Sequence, residues 1–482
     1  MTMHNRFSWW TKNTFGLLGL LLLLSGSPSA AAEALPVSGQ TTTATPSAII
    51  SSPSPTGGAV PLTGQTTTIA RPAMATTVTP TGGAAAVELL TLDQCIEITV
   101  KRNPSLTAAE SSMNAAGSRV GQAQSAYYPQ LSLSGNYSKF SPYTDPTNAT
   151  QDLYQGTATV TQNIFDFGKT PSQVRIQRFG HEASREDRRT VFSQVVFNVK
   201  QAYYTLLQAG KNLDVAIETV KLNQEQLDQA KGFFDAGVKS KYDVTTAEVN
   251  LSNARLARIR AENAVRIARV TLKNVMGSPD LPDFTIVDTL AFQKYPVTFD
   301  DAIQRAYTNR PDLRSTLAKK EASKEAVALA RTGYYPTLSG NASITRADSD
   351  FPPEKSGWSA GVTLNIPLFS GFLTSNQVKE AKENLNVQKA NEETLRQGIL
   401  LDVQQAYLNL AALEDGVAVA ELTVQQAQDN FDIATGRYNA GVGSPLDVTS
   451  ALVGLSNAKT NFIAALANYK IAEAALLKAM GE

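Results

Sequence analysis

The chain has 482 residues with 43 Lys plus Arg against 43 Asp plus Glu, so its formal charge is zero and no uncompensated positive field invites nucleic acid. Two histidines and one cysteine exclude His-cluster and CxxC metal sites and an intrachain disulfide, and leave most nucleophile–histidine chemistry without its parts. With 7% aromatic residues and a mean hydropathy of −0.17, the chain does not read as a polytopic helical membrane protein; neither an enzyme nor a cofactor is expected.

At the N-terminus, Arg6 and Lys12 precede an apolar run from Phe15 to Leu24, then Ser25 to Ser29 and three alanines, Ala30 to Ala32. That order is a basic region, a short apolar core and a small-residue cleavage site, and the run is too short to span a bilayer as a helix. Residues 1–32 therefore read as a signal peptide. Residues 33–88 are Thr, Pro, Ser, Ala and Gly with an internal echo, Pro36-Val37-Ser38-Gly39-Gln40 recurring as Pro61-Leu62-Thr63-Gly64-Gln65. Too few large apolar groups remain there to offset ordering entropy, so a disordered tether is expected.

Beyond the tether the sequence repeats itself. Asn103-Pro104-Ser105-Leu106 and Tyr127-Tyr128-Pro129 match Arg310-Pro311-Asp312-Leu313 and Tyr334-Tyr335-Pro336 at an offset of 207. From Ile164-Phe165-Asp166 onwards the offset is 204, with Gln201-Ala202-Tyr203 on Gln405-Ala406-Tyr407, Ala236-Gly237-Val238 on Ala440-Gly441-Val442, and Asp243-Val244 on Asp447-Val448. One three-residue deletion accounts for the change. The period is too long for a solenoid. The reading is a duplicated unit, residues 89–278 and 299–482, joined by a linker at 279–298.

Each unit changes periodicity twice. Strands with alternating polar and apolar residues are expected at about 129–141 and 153–165, and again at about 336–347 and 357–368. Long helices follow at 170–231 and 374–435, then helices at 239–277 and 443–480. The long helices carry apolar seams stepping by 3 and 4, from Val195 to Phe234 and from Ile399 to Tyr438, the signature of supercoiled helices. In each unit the two shorter helices together match the long one in length, so end-to-end stacking is expected in a wall of continuous and broken helices.

The strands decide the function class. Ser132, Ser134, Thr157, Thr159, Ser343 and Thr363 fall on one face, and Leu131, Leu133, Val160, Ala342, Val362 and Leu364 on the other. Strands of this length cross an outer membrane when tilted, with the apolar side to lipid and the polar side to water. Four strands cannot close a conducting barrel, and an open edge in hydrocarbon leaves backbone groups unpaired. Copies must then pool their strands. Two copies give eight strands, a barrel that side chains plug; three give twelve and a channel, so a homotrimer is expected.

With these features the chain resembles the TolC-type outer membrane efflux proteins, on the paired repeats, the strand exits Ile164-Phe165-Asp166-Phe167-Gly168 and Pro367-Leu368-Phe369-Ser370-Gly371, and the stretch Arg437-Tyr438-Asn439-Ala440-Gly441-Val442-Gly443-Ser444-Pro445-Leu446-Asp447-Val448. The resemblance covers residues 89–482. It implies a mainly α chain with two β-hairpins, a trimeric 12-stranded transmembrane barrel, and a periplasmic α-helical tunnel. It also implies the exit duct of an efflux pump or type I secretion system, served by a periplasmic adaptor and an inner-membrane transporter. Carried over residue by residue, it puts a carboxylate constriction at Asp447, a gate link at Asp243 and Tyr438, and tip turns that meet the adaptor at Gly237, Val238, Gly441, Val442 and Gly443. The sequence departs from that resemblance in two places: a family protein has an Arg at the position of this chain's Gly443 and a second ring Asp at that of its Ser450. Helix capping is the competing role for Asp243 and Asp447.

The rival class is a trimeric coiled-coil surface or structural protein with no duct. The run Arg175 to Arg189 reads as a salt-bridged helix face with Glu182, Glu186 and Asp187 at neighbour spacings. The basic run Arg255 to Lys273 reads as a solvated face, with an adaptor or cell-wall contact as the alternative. Cys95 reads as a small core residue, and His181 as a helix-surface residue rather than a ligand.

Overall fold

The computed structural model describes residues 88–141 and 150–482. The expected signal peptide and, apart from Glu88, the expected tether lie outside the described residues. One run of elements occurs twice. The first is β1 (Glu88–Leu90), α1 (Leu92–Arg102), α2 (Pro104–Gln124), β2 (Gln130–Phe140), β3 (Gln151–Phe165), α3 (Lys169–Asp235) and α4 (Lys241–Val275). The second is β4 (Phe284–Ile286), α5 (Phe299–Asn309), α6 (Pro311–Arg331), β5 (Thr337–Asp348), β6 (Ser356–Asn365), α7 (Leu373–Asn439) and α8 (Pro445–Met480).

The long helices α3 and α7 have 67 residues each, about 100 Å at 1.5 Å per residue. Both run four residues past their expected ends. Those ends fall just before Gly232 and Gly436, which cost about 1 kcal/mol each in a helix interior but do not break it, because Phe233 and Tyr438 just beyond pack against each other, with ring centroids 5.6 Å apart. The seam of α7 is buried at Ile399, Val403, Leu410, Val417, Phe431, Ala434 and Tyr438. The seam of α3 is buried at Val195, Val199, Ala202, Leu206, Leu227 and Ala230 and half-buried from Ala209 to Val220, but its last expected member, Phe234, is 43% exposed, and the neighbouring Phe233 turns inward instead.

Helix α3 packs between α2 and α4 on one side and α6 and α8 on the other, while α7 lies along α6 and α8. The wall therefore has α2 and α4 along one edge and α7 along the other. In each half the broken helices abut. Asn103 Nδ2, at the start of α2, donates to the Val275 carbonyl at the end of α4 (2.9 Å), and Arg310 Nη1 donates to the Ala479 carbonyl of α8 (3.5 Å). The pairs have 35 with 21 residues and 36 with 21, shorter than the 67-residue helices beside them, so the expected equality of length is not met. The junctions turn on Gly277 (φ +69°) and Gly481 (φ +81°), where an added Cβ would lie 2.8 Å from Arg102 O and Arg310 N.

The expected linker is tied along the helices, with Phe284 its one buried residue. β4 pairs in parallel with β1. Tyr203 Oη of α3 donates to the Val287 carbonyl (2.7 Å), and Tyr469 Oη of α8 donates to the Gln293 carbonyl (2.9 Å). Cys95 is fully buried and its counterpart Ala302 likewise; burial pushes the Cys95 thiol up to about 11.

Two readings of charged residues change. The Arg175–Arg189 run is tied mainly across helices: Arg175 to Glu325 of α6 (2.8 Å), Arg188 to Glu110 of α2, and Asp187 to Lys319 of α6 (3.2 Å). Only Glu186 keeps local partners, Arg189 at 3.0 Å and Arg185 at 3.5 Å. Spacing along one helix identified a set of acceptors, but acids and bases on adjacent helices reach several of these side chains first. His181 is half-buried, and its Nδ1 donates to the Met113 carbonyl of α2 at 3.2 Å; it is an inter-helix tie rather than a surface residue.

Candidate functional site: a two-faced sheet and a helical tip

The four long strands form one antiparallel sheet in the order β2-β3-β5-β6. Its register aligns Leu133, Ala158 and Ile344, with Trp358 facing Ile344, and the adjacent row aligns Ser132, Thr159, Ser343 and Ser359. Because side chains alternate along a strand, one face collects Leu, Val, Ala, Ile and Trp, and the other collects Ser, Thr, Asn and Gln. The polar rows bond across strands, Thr157 Oγ1 to Thr345 Oγ1 at 3.2 Å and Ser343 Oγ to Ser359 Oγ at 2.9 Å. Among the described residues nothing covers the apolar face: Leu133 is 83% exposed, Trp358 80% and Val362 67%. Charged pairs gather at the hairpin-loop end, Lys139 with Asp152 (3.6 Å) and Lys355 with Asp348 (3.0 Å). β6 stops at Asn365 instead of reaching residue 368, since Pro367 has no N–H to give the ladder. The outer strands β2 and β6 run in opposite directions and, among the described residues, each has a free edge, so neighbouring copies can join them antiparallel.

At the base of the sheet, Asp166 holds the turn from β3 into α3. Its carboxylate, 6% exposed, accepts from Asn163 Nδ2 (2.8 Å), Thr170 N–H (2.8 Å) and Gly168 N–H (3.3 Å), and from the Thr170 hydroxyl. Burial works against the charged form, but the hydrogen bonds from Thr170, Asn163 and Gly168 outweigh it and hold the pKa below the ordinary aspartate value. The second unit repeats the device with neutral groups, the Ser370 and Thr374 hydroxyls lying 3.2 Å apart. An acceptor four residues before a threonine, at 166/170 and 370/374, was the sequence signal for it. A depressed carboxylate pKa contributes stability that is present above the unfolded pKa and lost as pH falls through the folded one. Asp166→Ala is expected to cost about 2 kcal/mol at neutral pH and progressively less in acid, as read by thermal melts of the reconstituted protein at several pH values.

At the other end, α3 and α7 finish in matching left-handed turns. Gly237 (φ +73°) and Gly441 (φ +77°) let Val238 N–H reach Phe233 O (2.9 Å) and Val442 N–H reach Arg437 O (3.0 Å), closing the last carbonyls of each helix. Val238 and Val442 project outward, 66% and 71% exposed. Asp243 and Asp447 sit at the third position of α4 and α8. Asp243 Oδ2 accepts from Ser240 N–H (3.3 Å) and Asp447 Oδ2 from Ser444 N–H (3.2 Å), so both carboxylates cap helices. Asp447 is exposed and Asp243 half-buried. Tyr438, 4% exposed, lines a small cavity with Asp243 but makes no hydrogen bond to it among the described residues. Burial, then the Asp243 charge, raises the Tyr438 pKa above its ordinary value.

The ties between the two hairpins at this end are partly ones the sequence reading missed. Phe233 of α3 meets Tyr438 edge-on, Gln229 of α3 bonds Asn439 of α7, Asn250 of α4 bonds Thr449 of α8 (3.2 Å), and Lys459 of α8 pairs with Glu218 of α3 (2.8 Å). Gly443 is held close to α7, where an added Cβ would sit 2.7 Å from Tyr438 N. A side chain there would require this turn to move.

The comparisons agree with this geometry. TolC, an outer membrane protein of Escherichia coli K12, is 23% identical over 395 residues, covering 79% of this chain and 80% of its own length. BepC, an outer membrane efflux protein of Brucella suis, is 26% identical over 399 residues, covering 81% and 85%. The crystal structure of the Campylobacter jejuni CmeC outer membrane channel superposes with a TM-score of 0.71 at 21% identity, over 81% of this chain and 85% of that one. The outer membrane efflux protein sequence model matches residues 95–278 and 302–482, and the chain belongs to that family.

Proposed function

We propose that this chain forms an outer-membrane exit duct: a homotrimer whose twelve strands enclose water in the membrane and whose helices continue as a tunnel through the periplasm. Substrate passes through it passively, delivered by an inner-membrane transporter through a periplasmic adaptor. The observation that carries the proposal is the sheet with an uncharged hydroxyl-and-amide face and an uncovered apolar face. A coiled-coil surface protein without a duct has no use for that second face, which in water would be a large exposed apolar patch. The family is one of transport channels, and we assign no catalytic step to the chain.

Within this reading the tip turns at Gly237, Val238, Gly441, Val442 and Gly443 meet the adaptor, and exposed Val238 and Val442 give it apolar footholds. Three copies of Asp447 form an anionic ring that favours cations. Asp243 and Tyr438 belong to the contact that keeps the α3/α4 and α7/α8 hairpins together, acting through packing and charge proximity. Asp447 has two roles to separate, since it also caps α8. Asp447→Asn keeps an oxygen for the Ser444 N–H and removes the charge; Asp447→Ala removes both. In planar bilayers both variants are expected to lose cation preference several-fold and to conduct more than wild type. A change confined to Asp447→Ala would assign the residue to capping alone.

A further inference from the structure

At the hairpin-loop end, the apolar face of the sheet finishes in bases. Along β5 its members are Leu338, Gly340, Ala342 and Ile344, and the next in the row is Arg346; along β2 they are Leu131, Leu133, Gly135 and Tyr137, and the next is Lys139. Lys139 and Arg346 stand 207 residues apart, the offset that relates these two strands in the duplication. Each unit thus ends its first long strand with a cation on the side turned to lipid, where a charge is costly and the cost grows with depth.

The two cations differ in their neighbours. Lys139 pairs with Asp152 (3.6 Å), and Lys355, just before β6, pairs with Asp348 (3.0 Å). Arg346 is exposed and has no carboxylate partner among the described residues; Asp350 and Glu354 lie further out in the loop. The register also leaves its own row bare. Arg346 is level with Gly156 of β3, and Gly156 with Gly135 of β2. Among the described residues nothing lies within 4 Å of a Cβ added to either glycine. On the loop side this row is bounded by Tyr137 and Tyr154, whose ring centroids are 4.9 Å apart, with Phe351 edge-on to Tyr154 at 5.6 Å. On the other side it is bounded by Leu133 and Ala158. A glycine-floored slot two strands wide therefore runs between an aromatic rim and an aliphatic row, with an unpaired guanidinium at its β5 end.

We infer that this slot holds one phosphorylated lipid of the outer leaflet, with Arg346 donating to the headgroup phosphate and an acyl chain lying across Gly156 and Gly135. The planar guanidinium offers paired N–H donors that match two phosphate oxygens. The glycines let a chain approach the sheet backbone, and the tyrosines stand where interfacial aromatics flank headgroups. The hairpin loops lie at the end of the sheet away from the helices, so with the helices in the periplasm this is the outer leaflet. The partner is the phosphorylated glycolipid of that leaflet; a free phosphate ion would use Arg346 but would have no need of the slot. The inference rests on reading the apolar face as the lipid side of a duct.

The test takes the full-length assembled protein in detergent with EDTA, so that no divalent cation bridges a phosphate to Asp348 or Asp350. Native mass spectrometry then compares retention of lipid A carrying its phosphates with lipid A stripped of them. The expected result is one phosphorylated lipid A held per protomer, with retention several-fold lower for the stripped lipid and for Arg346→Gln. Arg346→Lys, a point charge in place of a fork, is expected to fall between, and Gly156→Leu to lose retention by filling the slot. Equal retention of the two lipids, or equal retention by wild type and Arg346→Gln, overturns the site; if that protein still conducts in planar bilayers, the duct stands. Displacement of lipid A by excess inorganic phosphate, with Gly156→Leu behaving as wild type, makes this a free-anion site and overturns the lipid assignment. A protein that retains neither lipid and does not insert into bilayers overturns both readings.

Discussion

Gly277→Ala is expected to lower the melting temperature of the assembled protein far more than Gly441→Ala. Both glycines are left-handed, at φ +69° and +77°, so an alanine at either costs about 1–2 kcal/mol. At Gly441 nothing lies within 4 Å of the added Cβ, whereas at Gly277 it would meet Arg102 O at 2.8 Å and Asn103 Cα at 2.8 Å. Both atoms are backbone, so relief requires α4 and α2 to separate, which adds about 1–3 kcal/mol of overpacking strain and stretches the Asn103–Val275 bond. Thermal melting of the two variants in the same detergent checks this, and equal shifts would mean that the close approach at the junction has no energetic weight.

Leu133→Arg is expected to cost about 2–4 kcal/mol, the depth-dependent penalty for Arg on the lipid face of a barrel. Ser132→Arg, one residue away, is expected to fold with little loss and to alter ion preference instead. The two positions differ only in which side of β2 they occupy, opposite Ala158 and Thr159 respectively. Urea titration of refolding into vesicles measures the first effect, and bilayer recording the second. Similar penalties at both positions would contradict a membrane on one side and water on the other.

The alternation of the strands was legible because its period of 2 admits one reading, and the cross-strand register placed Ser132, Thr159, Ser343 and Ser359 in one row. The helix ends were less legible: Gly232 and Gly436 look like stops, but the local cost of a glycine is small beside the packing gained by Phe233 and Tyr438. The switch from Phe234 to Phe233 is a drift of the seam at a helix end, where a 3.5-residue period no longer has a partner along its full length. The Arg175–Arg189 ties were misassigned because a sequence shows the acids on the same helix and hides Glu110, Glu325 and Lys319 on the adjacent ones. At the tip, the exposed turns were readable from Gly237 and Gly441. The ties Gln229–Asn439 and Asn250–Thr449 join residues about 200 positions apart, with nothing in their local patterns to mark them.

The most direct test of a water-filled lumen uses a cationic, membrane-impermeant thiol reagent on channels in planar bilayers. The native thiol is silent in such an experiment, since Cys95 is fully buried with its pKa pushed up to about 11 and offers little thiolate. Thr159→Cys, on the hydroxyl face, is predicted to lose conductance stepwise as up to three thiols react, and Val160→Cys, beside it on the apolar face, to be unaffected. A wild-type protein that inserts but carries no current, or equal modification at 159 and 160, would contradict the account.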